Sequence, residues 1–196
     1  MSDNAIKEVS WWEKHVEYTF ILRAFRDCAL NLVSPLAGPT ESISDAVVGK
    51  DSKYFIIEFK KTLDHFKDEY KKFLLGKQGL DNAAKAFLND PRAKFHFIIG
   101  GELNNGKLLT LRCARYFEVE TSLELSSGLF ETGMTKDELV KYAEDFTAFK
   151  IDDEGGSNGT GYFQRHVLAV GDGNTCSVIP LSFYYKPELK KKLKLK

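Results

Sequence analysis

Cysteine is scarce in this chain. Cys28, Cys113 and Cys176 are the only three in 196 residues. They lie far apart with no C-x-x-C pair, which argues against a structural zinc site. Neither charge is in excess, with 28 Lys and Arg against 28 Asp and Glu. A protein that coats nucleic acid non-specifically carries surplus positive charge, and this one does not. No apolar run approaches the ~20 residues of a membrane-spanning helix, so no membrane partner is expected. The start, MSDNAIKE, has no signal-peptide pattern. With an odd number of thiols, a reducing cytoplasm is the expected setting, and the sequon at Asn158 then reads as a turn. The G-x-S-x-G match at Gly155 to Gly159 reads as a Gly-rich loop and not as the strand-to-helix turn of a nucleophile elbow.

What is present is a core. Hydrophobic residues make up 43% of the chain, with 15 Phe among them, and the length suits a single domain, 1–196. Trp12, Val16, Phe20, Phe25, Ala29 and Leu32 recur at helical spacing and predict a helix from about Asn4 to Val33. Ile43 to Gly49 reads as a short strand. After the polar turn Lys50 to Lys53, Tyr54 to Lys60 is a strong strand.

Helices follow at Leu63 to Leu75 and Asp81 to Leu88. Lys94 to Ile99 is a buried strand closed by Gly100-Gly101, and Lys107 to Glu118 is another. Thr135 caps a helix to about Phe149, with Glu138 at the capping-box position. A Gly-rich loop at 155–159 precedes a hairpin, Tyr162 to Val170 and Cys176 to Tyr185. The expected fold is mixed α/β, of the α+β kind: a mixed central β-sheet flanked by helices, with an extra C-terminal β-hairpin.

The strand Tyr54 to Lys60 carries the chemistry. Side chains alternate along a strand. Phe55, Ile57 and Phe59 share one face, assigned to the core; Tyr54, Ile56, Glu58 and Lys60 share the other. If Asp51-Ser52 is a two-residue loop, Lys50 pairs with Lys53 and Asp45 falls opposite Glu58, with Cβ atoms ~4.5 to 5.5 Å apart. A loop one residue longer puts Asp45 on the wrong face. Two carboxylates so close are tolerable with a divalent cation between them.

Asp45 followed by Glu58-Phe59-Lys60 is similar to the D…E-x-K signature of the PD-(D/E)XK, or restriction-endonuclease-like, superfamily. The family pattern also asks for a helix before the hairpin, then a helix and a strand after it. The predicted elements fill those places over about residues 5 to 100; residues 101 to 196 are an elaboration that matches nothing named. The resemblance implies Mg²⁺-dependent (or Mn²⁺-dependent) hydrolysis of nucleic-acid phosphodiesters, in restriction, repair or defence. It implies Asp45 and Glu58 as metal ligands and Lys60 as catalytic helper. A further glutamate on the first helix is expected near the metal: Glu17, with Glu13 as the alternative. Ser44 stands where proline often does.

Lys61, Arg165, Lys190, Lys191 and Lys192 are candidate nucleic-acid contacts, with DNA ahead of RNA. A homodimer or a subunit of a larger complex is the expected assembly. A non-catalytic binding module on the same fold is the alternative function. A third reading makes the E-x-K a surface accident. His96, within KFHFII, reads as a satisfied core histidine. Glu102 reads as a turn residue, and Trp11-Trp12 as core and interface ahead of a base-stacking platform.

Overall fold

The computed structural model describes residues 10–36, 43–151, 166–170 and 176–180, the last two stretches as backbone strands. Helix α1 (Glu13–Asp27) is shorter than its apolar spacing predicts. Ala29 adopts a left-handed φ of 54°, which ends helical continuation. Leu32–Pro35 then form strand β1. The single helix expected as far as Val33 is therefore two elements. Leu30, Leu32 and Val33 satisfy either period. Packing decides between them, because Leu32 and Val33 enter different cores on opposite faces of the sheet.

Strands β2 (Ala46–Lys50) and β3 (Lys53–Lys60) make the hairpin in the expected register. Lys50 opposes Lys53 and Ala46 opposes Ile57. Asp51 and Ser52 both have positive φ, 49° and 69°, the backbone of a type I′ turn, whose twist matches that of the paired strands.

Beyond Lys60 the chain enters a 3₁₀ stretch, Leu63–Lys72, where an α-helix to Leu75 is predicted. Helix α2 (Lys77–Phe87) follows, beginning earlier than predicted. Strand β4 (His96–Asn104) lies parallel to β3, with Lys60 beside Gly100. A side chain at Gly100 would put Cβ 2.5 Å from Leu63 N and 2.8 Å from Thr62 C. Glycine there lets the chain leave β3 directly over β4. β4 continues through Gly100-Gly101, so Glu102 is a strand residue opposite Thr110 and not a turn residue.

The strand expected at Lys107 to Glu118 divides into β5 (Leu108–Arg115) and β6 (Glu118–Leu123). Helix α3 (Lys136–Thr147) carries the expected box: Thr135 Oγ1 accepts from Glu138 N, and Glu138 Oε2 accepts from Thr135 N at 2.7 Å. Strands β7 (His166–Val170) and β8 (Cys176–Pro180) pair as the expected hairpin. The loop at 155–159 lies outside the described residues.

Among the described residues the strands form one sheet, ordered β6-β5-β4-β3-β2-β1-β7-β8. The β3–β4 pair is parallel, and the fold is α+β. Helix α1 covers one face, with Val16, Phe20 and Ala24 against Phe55, Ile57 and Phe59. Helices α2 and α3 cover the other, with Phe87, Tyr142 and Phe146 in one core with Tyr54 and Ile56. β3 is therefore buried on both faces, where one core face is expected. Each such side chain contributes about 1.5–3 kcal/mol on burial. No helix among the described residues is long and apolar enough to cross a membrane.

Candidate active site

The side chains of Glu58 and Lys60 enter the sheet face that α2 and α3 cover. Both are buried, Glu58 completely and Lys60 to 6% exposure. The paired register ends at Ala46 opposite Ile57, and Asp45 lies in the bend just before β2, where the expected pairing with Glu58 is not formed as a ladder pair. Asp45 Oδ2 accepts a hydrogen bond from Phe59 N at 2.6 Å, so the aspartate also pins the backbone between the glutamate and the lysine. Ser44 Oγ donates to Glu58 Oε2 at 2.9 Å. Ser44 thus has a polar task at the buried glutamate.

Two further residues complete the cluster, and the sequence pattern did not mark them. Glu69 and Lys72 come from the 3₁₀ stretch that passes over the end of β3. Lys60 Nζ lies 2.5 Å from Glu58 Oε1 and 2.9 Å from Glu69 Oε1. Lys72 Nζ lies 2.7 Å from Glu58 Oε1 and 2.8 Å from Glu69 Oε1. Two carboxylates and two ammoniums alternate around a four-membered ring. The Glu69 oxygen is in ion-pairing range of both amines but not aligned for a hydrogen bond with either. Its other oxygen accepts from Tyr116 OH at 2.7 Å, and Lys150 Nζ stands 3.8 Å away. Lysine and glutamate at a helix-like surface spacing give no sign of burial, which is why only the fold reveals them.

Burial, with Glu69 and Asp45 nearby, pushes the Glu58 carboxyl up to about 7. Burial also raises the Asp45 carboxyl, though the Phe59 amide works against it. For Glu69, burial is outweighed by the ammoniums of Lys60, Lys72 and Lys150, and the group is held below the ordinary carboxylate range. Desolvation of Lys60 and Lys72 is outweighed by Glu58 and Glu69, and both ammoniums are held above the ordinary lysine range.

Glu17 is not part of this cluster. It pairs with Lys14 at 2.5 Å and lines an apolar cleft of about 140 Å³ with Phe20, Val33 and Phe59. Helix α1 covers the opposite sheet face, so a residue in mid-helix cannot reach Glu58. Glu13, at the start of α1, sits at the rim instead. Burial raises its carboxyl, with Lys60 and Glu58 the nearest charges acting on it.

Lys61 points away from Lys60, with Nζ 5.4 Å from the centre of the Trp11 ring. Arg165, Lys190, Lys191 and Lys192 lie outside the described residues. Trp11 Nε1 donates to Lys61 O at 2.8 Å, while Trp12 is 70% exposed. His96 is buried as expected and stacks on Tyr116 at 4.1 Å. Its Nδ1 lies 3.1 Å from Tyr142 OH, but Nε2 has no hydrogen-bond partner among the described residues.

No family model, curated protein or solved structure matches this chain.

The cluster suits a hard divalent cation in chemistry and in charge. Its donors are carboxylate oxygens. Glu13, Asp45, Glu58 and Glu69 face the ammoniums of Lys60, Lys72 and Lys150, four acids against three bases. Among the described residues no three Asp, Glu, His or Cys groups already surround one point, and both Glu58 oxygens hold donors. A cation held by Glu58 would compete with Ser44 at Oε2 or with the two ammoniums at Oε1.

Proposed function

We propose that this chain is a metal-dependent nuclease of the PD-(D/E)XK type that hydrolyses nucleic-acid phosphodiesters. The observation that carries the reading is the hairpin end, which brings the Asp45 carboxylate to the Phe59 amide between Glu58 and Lys60, with the Lys60 ammonium against the glutamate. The elements the resemblance asks for are in place around it: α1, the β2–β3 hairpin, the 3₁₀ stretch with α2, then β4. Asp45 and Glu58 would hold Mg²⁺ or Mn²⁺, with Glu13 at the rim. The ion supplies phosphoryl polarisation and an acidified water. Asp45 steadies the Phe59 amide, and Ser44 orients Glu58. Lys60, charged and almost dry, neutralises negative charge that develops on the phosphate. The free thiols of Cys28 and Cys113 suit a reducing cytoplasm. DNA is the proposed substrate ahead of RNA.

A specific feature favours a second reading, a non-catalytic subunit of a larger complex. The ion ring is closed on itself, and Tyr18 and Leu22 stand 60% and 74% exposed one turn apart on α1. A cleavage assay on mixed DNA and RNA with Mg²⁺, Mn²⁺ or EDTA separates the two. The expected outcome is metal-dependent cleavage that Lys60→Ala lowers by about 10²-fold or more. A wild-type protein that cuts nothing with either metal sinks the nuclease reading and leaves the subunit.

A further inference from the structure

We propose that Glu69 is a positioning residue that keeps the Lys60 ammonium at the site when the Glu58 carboxylate turns to a metal ion. The inference rests on the nuclease reading. Glu69 lies outside the D…E-x-K pattern, yet it is completely buried. A buried carboxylate is costly unless it is paired, and its pairing is specific. Lys60 is shared between Glu58 at 2.5 Å and Glu69 at 2.9 Å. With Glu58 given over to a cation, Lys60 would face a like charge and lose its nearer partner. Glu69 is the remaining anion within reach.

Glu69 itself is held from behind. Tyr116 OH donates to its far oxygen at 2.7 Å, and the Tyr116 ring is wedged by His96 at 4.1 Å, Phe66 at 5.3 Å and Phe146 at 5.3 Å. It cannot follow Glu58 toward the metal without breaking that hydrogen bond. The two lysines of the ring differ in access. The Lys60 side chain is 8% exposed and that of Lys72 is 36% exposed. Lys72 is therefore the ammonium that can withdraw to water when a cation enters, and Lys60 the one that stays.

The test uses Glu69→Gln and Tyr116→Phe in the full chain, each also combined with Lys60→Ala. The readouts are kcat and KM on an oligonucleotide with Mg²⁺, and Mn²⁺ affinity by calorimetry without substrate. Glu69→Gln is expected to lower kcat about tenfold or more with KM unchanged, and to weaken Mn²⁺ binding only while Lys60 is present, because the ammonium freed from Glu58 has then lost its acceptor. In the Lys60→Ala background the same substitution is expected to change kcat by no more than about twofold, because residues acting as a unit are not additive. Tyr116→Phe, which keeps the charge but frees the carboxylate, is expected to lower kcat in the same direction by less.

Mn²⁺ affinity that falls just as far in the Lys60→Ala background would make Glu69 a ligand and overturn the proposal. So would a loss of kcat that persists undiminished without Lys60, or an unchanged kcat. If circular dichroism shows Glu69→Gln unfolded, a folded Tyr116→Phe with wild-type kcat overturns it instead. The wild-type and Lys60→Ala arms report on the nuclease reading itself. If the wild type cleaves nothing, that reading falls and takes this one with it.

Discussion

Lys150 brings an ammonium into a wall of aromatic rings. Its Nζ lies 4.6 Å from the centre of Phe146 and 5.4 Å from that of Phe73, and it donates to Ile43 O at 3.3 Å. The rings and Glu69 favour its charge, but burial dominates and pushes it down from 10.5 to about 8. Below pH 8 the folded protein therefore carries a desolvated charge at a cost. Between about pH 8 and 10.5 the unfolded lysine still holds a proton that the folded one has lost, so this group raises stability as pH rises through that window. Lys150→Met is expected to be more stable than wild type by roughly 1–3 kcal/mol at pH 7, because the desolvated ammonium is removed while Glu69 keeps Lys60 and Lys72, with the advantage shrinking toward zero by pH 10.5. Urea titrations at pH 7, 9 and 10.5 check this; an advantage that does not vary with pH would contradict it.

Among the elements, the crossing of the 3₁₀ stretch over β4 sets the site. Lys60 pairs with Gly100 in register, and the backbone of Thr62 and Leu63 passes against that glycine. Gly100→Ala forces the crossing chain away, and Glu69 and Lys72 lie on that chain. The expected cost is about 1–3 kcal/mol of stability, and on the proposed nuclease reading cleavage is slowed as well. Unchanged urea midpoints and rates would show that the crossing does not matter. The hairpin was legible in the sequence because alternation and a two-residue polar turn leave little freedom of register. The end of α1 was not, because Leu30, Leu32 and Val33 suit a helix or a strand and only pairing with β2 chooses. Glu69 was not legible either. A glutamate among lysines and aspartates reads as a solvated face, and its burial comes from a chain crossing with no local signal. Glu17 was misplaced for a related reason: helix periodicity identifies a buried stripe but not which face of the sheet the stripe covers.

For the whole molecule, β3 ties two cores together. Phe55 belongs to the core under α1, and Ile56 to the one under α2 and α3. Neither layer can melt without stripping the strand that supports the other. Phe55→Ala is expected to cost about 3–5 kcal/mol while unfolding remains a single transition. Tryptophan fluorescence from Trp11, on the α1 side, and the near-ultraviolet signal of Tyr116 and Tyr142, on the other, should shift to the same new midpoint. Separate midpoints would show that the layers unfold independently.

The ion ring shares its strand with these cores, and that has a practical consequence for directed evolution. Buried ionic clusters replaced by well-packed apolar residues often give a more stable protein. A library of this chain screened only for heat resistance would therefore collect replacements at Glu58, Lys60, Glu69 and Lys72 early and lose the chemistry as it gained robustness. Where such a screen stops changing residues would mark out how far the functional constraint extends into the fold.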